Sequence, residues 1–366
     1  MHGGGVMMYH NIRILAKRHR VRVISFFETE EEREALKTLQ NVCDFAIGIP
    51  RFPKYSPHWF SLAPYLIHEF NLPEMNEAVD REIRKQKPDV IQCEYLQMAQ
   101  HSRHGIFSVL TLPEVLSLNA YQAFVRENDP LAKLRLFHRW MGMLNYEIGA
   151  SRRADRVITM TEKDANYLRS YLPKHDIWPI PIGIDTDWFF PRPEEGAAPV
   201  EVLFLGNFRH TPNIEAAEFI ARYIVPRFPE LKVTLAGSNV PERFMTEKGI
   251  NVTGYVADTR VLYRRPNTIV ITPLFSGTGQ RVKLLEAFSM AMPVVTTSLG
   301  AAGFPVTNGK EAILAETAGE FSEAIDHLAR SVNLRVQLGT AARQMIVERY
   351  RWEQIAAEVE NAVRKP

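Results

Sequence analysis

Residues 276–297, SGTGQRVKLLEAFSMAMPVVTT, set a glycine-punctuated turn before a short apolar helix, with Arg281, Lys283 and Glu286 near its start. The first turn of a helix leaves amide groups unpaired and so attracts an anion such as phosphate. Cations at that end are disfavoured by the helix dipole unless an anion offsets them. Arg281 and Lys283 therefore suggest a bound phosphate or diphosphate. Glu286 follows Lys283 by three residues and shares its face; a carboxylate there can accept hydrogen bonds from two vicinal ribose hydroxyls. An ordinary Lys–Glu helix pair beside a glycine loop has the same letters, and a lone glycine-rich turn is a weak signal.

A second strand–loop–helix junction strengthens it. FLGNFRHTPNIEAAEFI (204–220) reads as a strand ending at Gly206, a loop with Arg209 and His210, and a helix opened by Pro212 and Asn213. In open parallel sheets, ligands bind outside the carboxyl ends of the strands, so this loop and 276–281 would line one crevice. AGSNVP (236–241) and TGYVAD (253–258) are further loops on that edge, where Tyr255 and Val256 either flank a base or pack.

Other chemistry-bearing residues are sparser. Glu94 and Glu114 each follow a strand of the first half, where a carboxylate can orient a hydroxyl; for Glu94 the expected alternative is loop solvation or helix capping. His101 and His104, three apart with no further ligand nearby, are expected on a surface helix. The acidic triplet Asp185-Thr186-Asp187 is expected to cap a turn rather than hold metal, and no metal site is expected. No Ser-His-Asp constellation can be argued, and no G-x-G-x-x-G follows a strand, which speaks against a dehydrogenase.

These residues need strands to carry them. β-branched runs alternate with helix-period segments at 22–27, 45–49, 89–93, 107–112, 156–160 and 176–180, then at 200–206, 231–237, 250–254, 267–274, 293–297 and 312–315. That alternation predicts parallel strands with crossover helices. One long helix is expected over about 119–154. The stretch 186–199, rich in Pro, Gly and Glu, marks a linker, placed at 188–199 between domains 1–187 and 200–350. A length of 366 residues suits two α/β domains. Gly3, Gly4 and Gly5 enter a helix pattern without the strand that normally feeds such a turn. We read this as a start inside a longer reading frame, or as a first sheet with one strand fewer.

Composition excludes several classes. Lys and Arg total 44 against 42 Asp and Glu, a net +2 that gives no argument for nucleic acid. Two scattered cysteines, Cys43 and Cys93, fit neither a disulfide framework nor a zinc site, and suit a reducing cytoplasm. The basic–aromatic stretches 51–70 and 131–144 either pack or lie against anionic lipid at the inner face of a membrane.

The series FLGNFRHTPNIEAAEFI, VTLAGS, VTGYVAD, TPLFSGTGQRVKLLEAFSMAMPVVTT and ERYRWEQIAAEVE resembles retaining glycosyltransferases of the GT-B fold, family four (glycosyl transferases group 1), in the branch with a G-x-G-x-R-x-K-x-x-E-A segment. HGGGVMMYHNIRILAKRHRVRVISF, KPDVIQCEYL, RADRVITMTEKDANYL and PIPIGIDTDWF keep that family's order in the first half, more loosely. The resemblance implies two Rossmann-like doubly wound domains, with a final helix (351–366) packing back on the first. It implies diphosphate contacts from Arg281 and Lys283, ribose contact from Glu286, and a donor site including Gly206, Arg209, Tyr255, Gly277, Thr278, Gly279 and Leu285. Gly3 to Gly5 would meet the donor or the acceptor across the cleft, Glu94 would face the acceptor, and Glu114, with Arg281 and Lys283, would serve catalysis. Three positions depart from the family pattern: Thr278 replaces an acidic residue, Pro113-Glu114 a His-Asp pair, and Ile182 an Asn.

The expected activity is transfer, with retention and without metal or other cofactor, from a UDP- or GDP-linked sugar to a saccharide or polyprenyl-linked acceptor in surface polysaccharide or glycolipid assembly. The alternatives are a catalytically degenerate sugar-nucleotide-binding subunit and a sugar-nucleotide epimerase of the same fold.

Overall fold

Uninterrupted β-branched runs suit strands buried on both faces, the environment of a parallel sheet. In the computed structural model, which describes residues 3–52, 65–191 and 199–365, each expected run forms a strand. They are β1 (Arg22–Phe27), β2 (Phe45–Pro50), β3 (Val90–Glu94), β4 (Phe107–Leu112), β5 (Arg156–Thr159) and β6 (Ile177–Pro179), then β7 (Glu201–Leu205), β8 (Lys232–Ala236), β9 (Ile250–Gly254), β10 (Thr268–Thr272), β11 (Val294–Thr296) and β12 (Ile313–Leu314). Every pairing among them is parallel. The chain divides into two units: Met1–Ile182 with Thr278–Gln280 and Glu353–Pro366, and Gly183–Gly277 with Arg281–Trp352. Residues 192–198, within the expected linker, lie outside the described residues, as do 53–64 of the first basic–aromatic stretch.

The second unit is one six-stranded sheet in the order β12-β11-β10-β7-β8-β9. The chain builds outward from β7 to β9, crosses back to β10 and builds the other way, so the switch point lies between β7 and β10, paired through Val202 with Ile269 and Leu203 with Val270. All five residues of each of these two strands are buried. Val202, Phe204, Leu235, Ile269 and Ile271 join Ile220, Phe321 and Leu328 in its core.

In the first unit the strands fall into two sheets, β3-β4-β5-β6 and the pair β1-β2. Gly3 to Gly5 form the first turn of the helix Gly3–Leu15. Among the described residues no strand pairs with both β1 and β3, so the single sheet expected for this half is not closed. The expected long helix is two helices, Leu116–Arg126 and Pro130–Arg153. The break is local chemistry: Asp129 Oδ2 accepts from the Ala132 amide at 2.7 Å, and Pro130 fills a first-turn position where its missing N–H costs nothing. The closing helix, Trp352–Val363, ends on Arg156 of β5, whose Nη1 donates to the carbonyls of Asn361, Ala362 and Arg364 at 3.3, 2.7 and 3.2 Å. A cation against helix C-terminal carbonyls is favourable.

Candidate functional site

The second unit's loops leave β7, β8 and β9 through glycine. The Gly206 amide donates to the Ala236 carbonyl at 2.9 Å and the Gly237 amide to the Gly254 carbonyl at 2.8 Å, so the three exits stack. Gly237 has φ +129°, and a Cβ there would lie 1.8 Å from the Gly206 carbonyl oxygen. Only glycine fits. A Cβ on Gly206 would press Asn213 at 2.9 Å, so its absence lets the helix Thr211–Phe219 begin hard against the strand end.

Next to that opening, across the switch point, the helix Val282–Ser289 begins at Arg281. The amides of Leu284 and Leu285 bond to the Arg281 carbonyl at 2.9 and 3.1 Å, which leaves those of Val282 and Lys283 ahead of the ladder. Arg281 Nη2 donates to the Ser276 carbonyl at 3.2 Å, and its guanidinium lies against Gly277, where φ is +100°. Leu285 itself is a core residue, 1% exposed.

Lys283 and Glu286 do not form the ordinary helix pair. Lys283 Nζ donates to Asn213 Oδ1 at 2.6 Å and lies 4.4 Å from the centre of the Phe204 ring. Glu286 Oε2 accepts from Thr259 Oγ1 at 3.0 Å and from the Tyr263 hydroxyl at 3.3 Å. No ion pair joins Lys283 to Glu286 among the described residues. Burial, and then the Arg281 guanidinium, pull the Lys283 ammonium down to about 7. Burial pushes the Glu286 carboxyl up to about 7 against the hydrogen bonds from Thr259 and Tyr263. Each group is partnered by neutral dipoles, so each gains from a ligand that adds to them: an anion for Lys283, further hydroxyl donors for Glu286.

Asn213, Thr259 and Tyr263 were not read as functional from the sequence. The signal for Asn213 was its place one residue after the Pro that opens its helix; Thr259 and Tyr263 gave none, because their partner lies over twenty residues on. Beside them Arg260 grips Asp258 at 2.8 and 2.6 Å and stacks on Trp188 at 3.6 Å. Tyr255 is 71% exposed, so packing does not explain it. Arg209 is also exposed, its amide held by Asn207 Oδ1 at 3.1 Å.

Thr278 and Gly279 cluster with the first unit: the Val115 amide donates to Thr278 Oγ1 at 3.1 Å and the Gly279 amide to Asp164 Oδ2 at 3.0 Å. Asp185 accepts from the amides of Asp187 and Trp188 at 3.0 and 2.8 Å, the turn cap expected of that triplet. Among the described residues no three His, Cys, Asp or Glu converge on a metal position.

Two expectations in the first unit are corrected. Glu94 is neither solvated nor a cap: its Oε1 accepts from Gln92 at 2.7 Å, its Oε2 is buried with no hydrogen bond, and burial raises it to about 7. The next residue, Tyr95, has φ +72° and ψ 151°, a conformation that costs a side-chain-bearing residue energy and gathers at functional sites. His101 is not on the surface but 3% exposed, between Asn76 Oδ1 at 3.1 Å and the Phe70 carbonyl at 2.9 Å. Glu114 accepts from Asn119 at 2.9 Å. Its loop is held by fully buried Glu147, which takes the Leu116 and Ser117 amides at 2.9 and 3.1 Å and the Ser117 hydroxyl.

The family described as Glycosyltransferase Family 4 matches residues 1–188, just over half the chain, and that described as Glycosyl transferases group 1 matches 199–331. The chain belongs to glycosyltransferase family 4. An uncharacterized 44.6 kDa protein in the cps region of Klebsiella pneumoniae is 25% identical over 164 residues, 41% of this chain and 42% of that protein, so the match spans less than half of the curated relative's length. Among solved structures, Anabaena Alr3699/HepE in complex with UDP superposes with a TM-score of 0.71 at 14% identity, covering 98% of this chain and 95% of that one. Sucrose-phosphate synthase from Thermosynechococcus elongatus gives 0.70 at 17%, covering 93% and 98%. WaaG, a glycosyltransferase involved in lipopolysaccharide biosynthesis, gives 0.66 at 13%, covering 99% and 96%. At these identities the likeness establishes the fold, GT-B with two Rossmann-like domains.

Proposed function

We propose that this family 4 chain transfers a sugar, with retention of anomeric configuration, from a UDP- or GDP-linked donor to a saccharide or polyprenyl-linked acceptor in surface polysaccharide or glycolipid synthesis. The observation that carries the reading is the arrangement of Lys283 and Glu286. Two ionisable groups are embedded one turn apart at the switch point of a parallel sheet, each on neutral partners and neither on the other. A diphosphate completes Lys283, Arg281 and the helix N-terminus; a ribose completes Glu286. The bound relatives give context: HepE is solved with UDP, with UDP-glucose, and with UDP and glucose.

In the reaction, the bond from the anomeric carbon to the β-phosphate oxygen breaks and one from the acceptor oxygen forms. The acceptor proton leaves for the departing diphosphate. Charge grows on the departing diphosphate, and fixed cations and amides stabilise it without reorganising. Arg281 and Lys283 take that role, which needs no metal ion. Glu114, on its loop held by Glu147, and Glu94, beside strained Tyr95, are assigned to the acceptor hydroxyl.

A panel of UDP- and GDP-sugars with nucleoside diphosphate release as readout tests this. Release that requires an acceptor, with the product's anomeric configuration matching the donor's, supports transfer. Sugar-nucleotide binding without release supports a binding subunit, a reading that draws on Thr278 standing where the family pattern has an acid. A sugar nucleotide inverted at C2 supports epimerisation.

A further inference from the structure

The helices Leu116–Arg126 and Pro130–Arg153 meet along an aromatic seam: Phe124 stacks on Trp140 at 5.6 Å, and Tyr121 lies 4.9 Å from the same ring. Beside the seam, which Phe137 joins at 5.6 Å from Phe124 and 5.9 Å from Trp140, large apolar side chains stand in solvent. Leu131 is 70% exposed, Leu134 66% and Val125 51%, with Phe137 and Met141 above 40%. On the longer helix, Leu131, Leu134, Phe137 and Met141 recur at three- and four-residue spacings, which is one stripe. Exposed Arg135, His138 and Arg139 flank it, with Arg126 on the shorter helix. The only acidic residue in Pro130–Arg153 is Glu147, buried and committed to the Leu116 and Ser117 amides. Glu127 and Asp129 sit in the turn and accept backbone amides there.

Scattered exposed leucines need no explanation, but a row flanked by cations, on a helix whose one acidic residue is buried, does. We propose that this face docks on an anionic lipid bilayer, the helix pair lying in the interface with Leu131 and Leu134 among the acyl chains and the arginines among the headgroups. The charge pattern selects the occupant. A diffuse negative surface satisfies cations spread along a stripe, whereas a second copy of the same face would set like charges together. The placement also deepens the acceptor reading, on which its purpose rests. Glu114 lies just before the helix Leu116–Arg126. At 1.5 Å per residue, Tyr121 and Val125 lie about 10 and about 16 Å further along, so the face begins about 10 Å from the loop assigned to the acceptor.

Flotation of the full chain with phosphatidylglycerol–phosphatidylcholine vesicles, and with phosphatidylcholine alone, tests it. Binding to the anionic vesicles only, weakened by added salt, is expected. Arg135→Gln with Arg139→Gln should cut partitioning about 25-fold, at about 5-fold per charge, and Leu131→Ser with Leu134→Ser should weaken it at least 10-fold. In both variants circular dichroism and nucleotide affinity should be unchanged, since these residues lie outside the site. No binding, or equal binding to both vesicles, overturns the proposal. So does a dimer that Leu131→Ser with Leu134→Ser dissociates while vesicles fail to bind. Flotation needs neither donor nor turnover, so its failure leaves the transferase reading standing, and absent turnover leaves the docking face standing.

Discussion

Lys283 Nζ lies 2.6 Å from Asn213 Oδ1, a neutral acceptor on a helix that starts from the neighbouring strand. An amide in that place orients the ammonium without spending its charge. The charge is left for a ligand, and the first prediction follows from exchanging the amide for a carboxylate.

Asn213→Asp gives Lys283 a permanent counter-ion and sets a negative charge where diphosphate must come. Lys283→Ala should weaken UDP and GDP binding about 10- to 100-fold, the range of a lost charge-assisted hydrogen bond. Asn213→Asp should weaken it at least as much, and Asn213→Ala clearly less. Isothermal calorimetry of the three variants checks the order. Equal losses for Asp and Ala would show that Asn213 serves packing alone.

Affinity for a UDP-sugar, whose own diphosphate does not titrate near neutrality, should peak near pH 7. Free Lys283, held down to about 7 by burial and Arg281, is neutral above that pH, and binding must then recharge it. The alkaline limb should approach tenfold per pH unit. Glu286, raised to about 7 by burial, is protonated below that pH and loses its acceptor capacity for ribose, which gives the acid limb. Lys283→Arg should remove the alkaline limb and Glu286→Gln the acid one, each with a lower maximum. A profile flat across this range in the parent chain would contradict the assignment.

Gly237→Ala should destabilise the second unit by at least about 3 kcal/mol, because a Cβ at φ +129° meets the Gly206 carbonyl at 1.8 Å. Denaturant unfolding measures it. Gly309→Ala, also at positive φ (+78°) but with open space around it, should cost only about 1 kcal/mol.

Glu94→Gln should raise the acceptor KM or lower kcat while leaving nucleotide affinity unchanged, since Glu94 belongs to the first unit and the nucleotide groups to the second. Its carboxyl already keeps one oxygen buried without a hydrogen bond. The amide should therefore fold as well as the parent in thermal melts. Parent-like steady-state kinetics in Glu94→Gln would remove it from the acceptor side.

All twelve strands were legible because doubly covered parallel strands read as unbroken apolar, β-branched runs. The turn at Asp129-Pro130 was not: the residues on both sides keep helical periodicity, and one proline inside a periodic run is easily absorbed. Arg281, Lys283 and Glu286 could be named from one contiguous segment. Their partners could not, since Asn213, Thr259 and Tyr263 come from other loops of the same sheet edge, and polar residues in loops look alike until the strand order is known. Glu94 and His101 were misjudged for a related reason: burial of a polar side chain depends on what packs over it, which local spacing does not encode. Nor did the spacing reveal that β1 and β3 belong to separate sheets.

The most direct test is a crystal structure of the chain with UDP or GDP bound. The account predicts diphosphate oxygens within hydrogen-bond distance of Lys283 Nζ and of the Val282 and Lys283 amides, with the ribose hydroxyls on Glu286. Nucleotide density elsewhere, with Lys283 still on Asn213 alone, would contradict it.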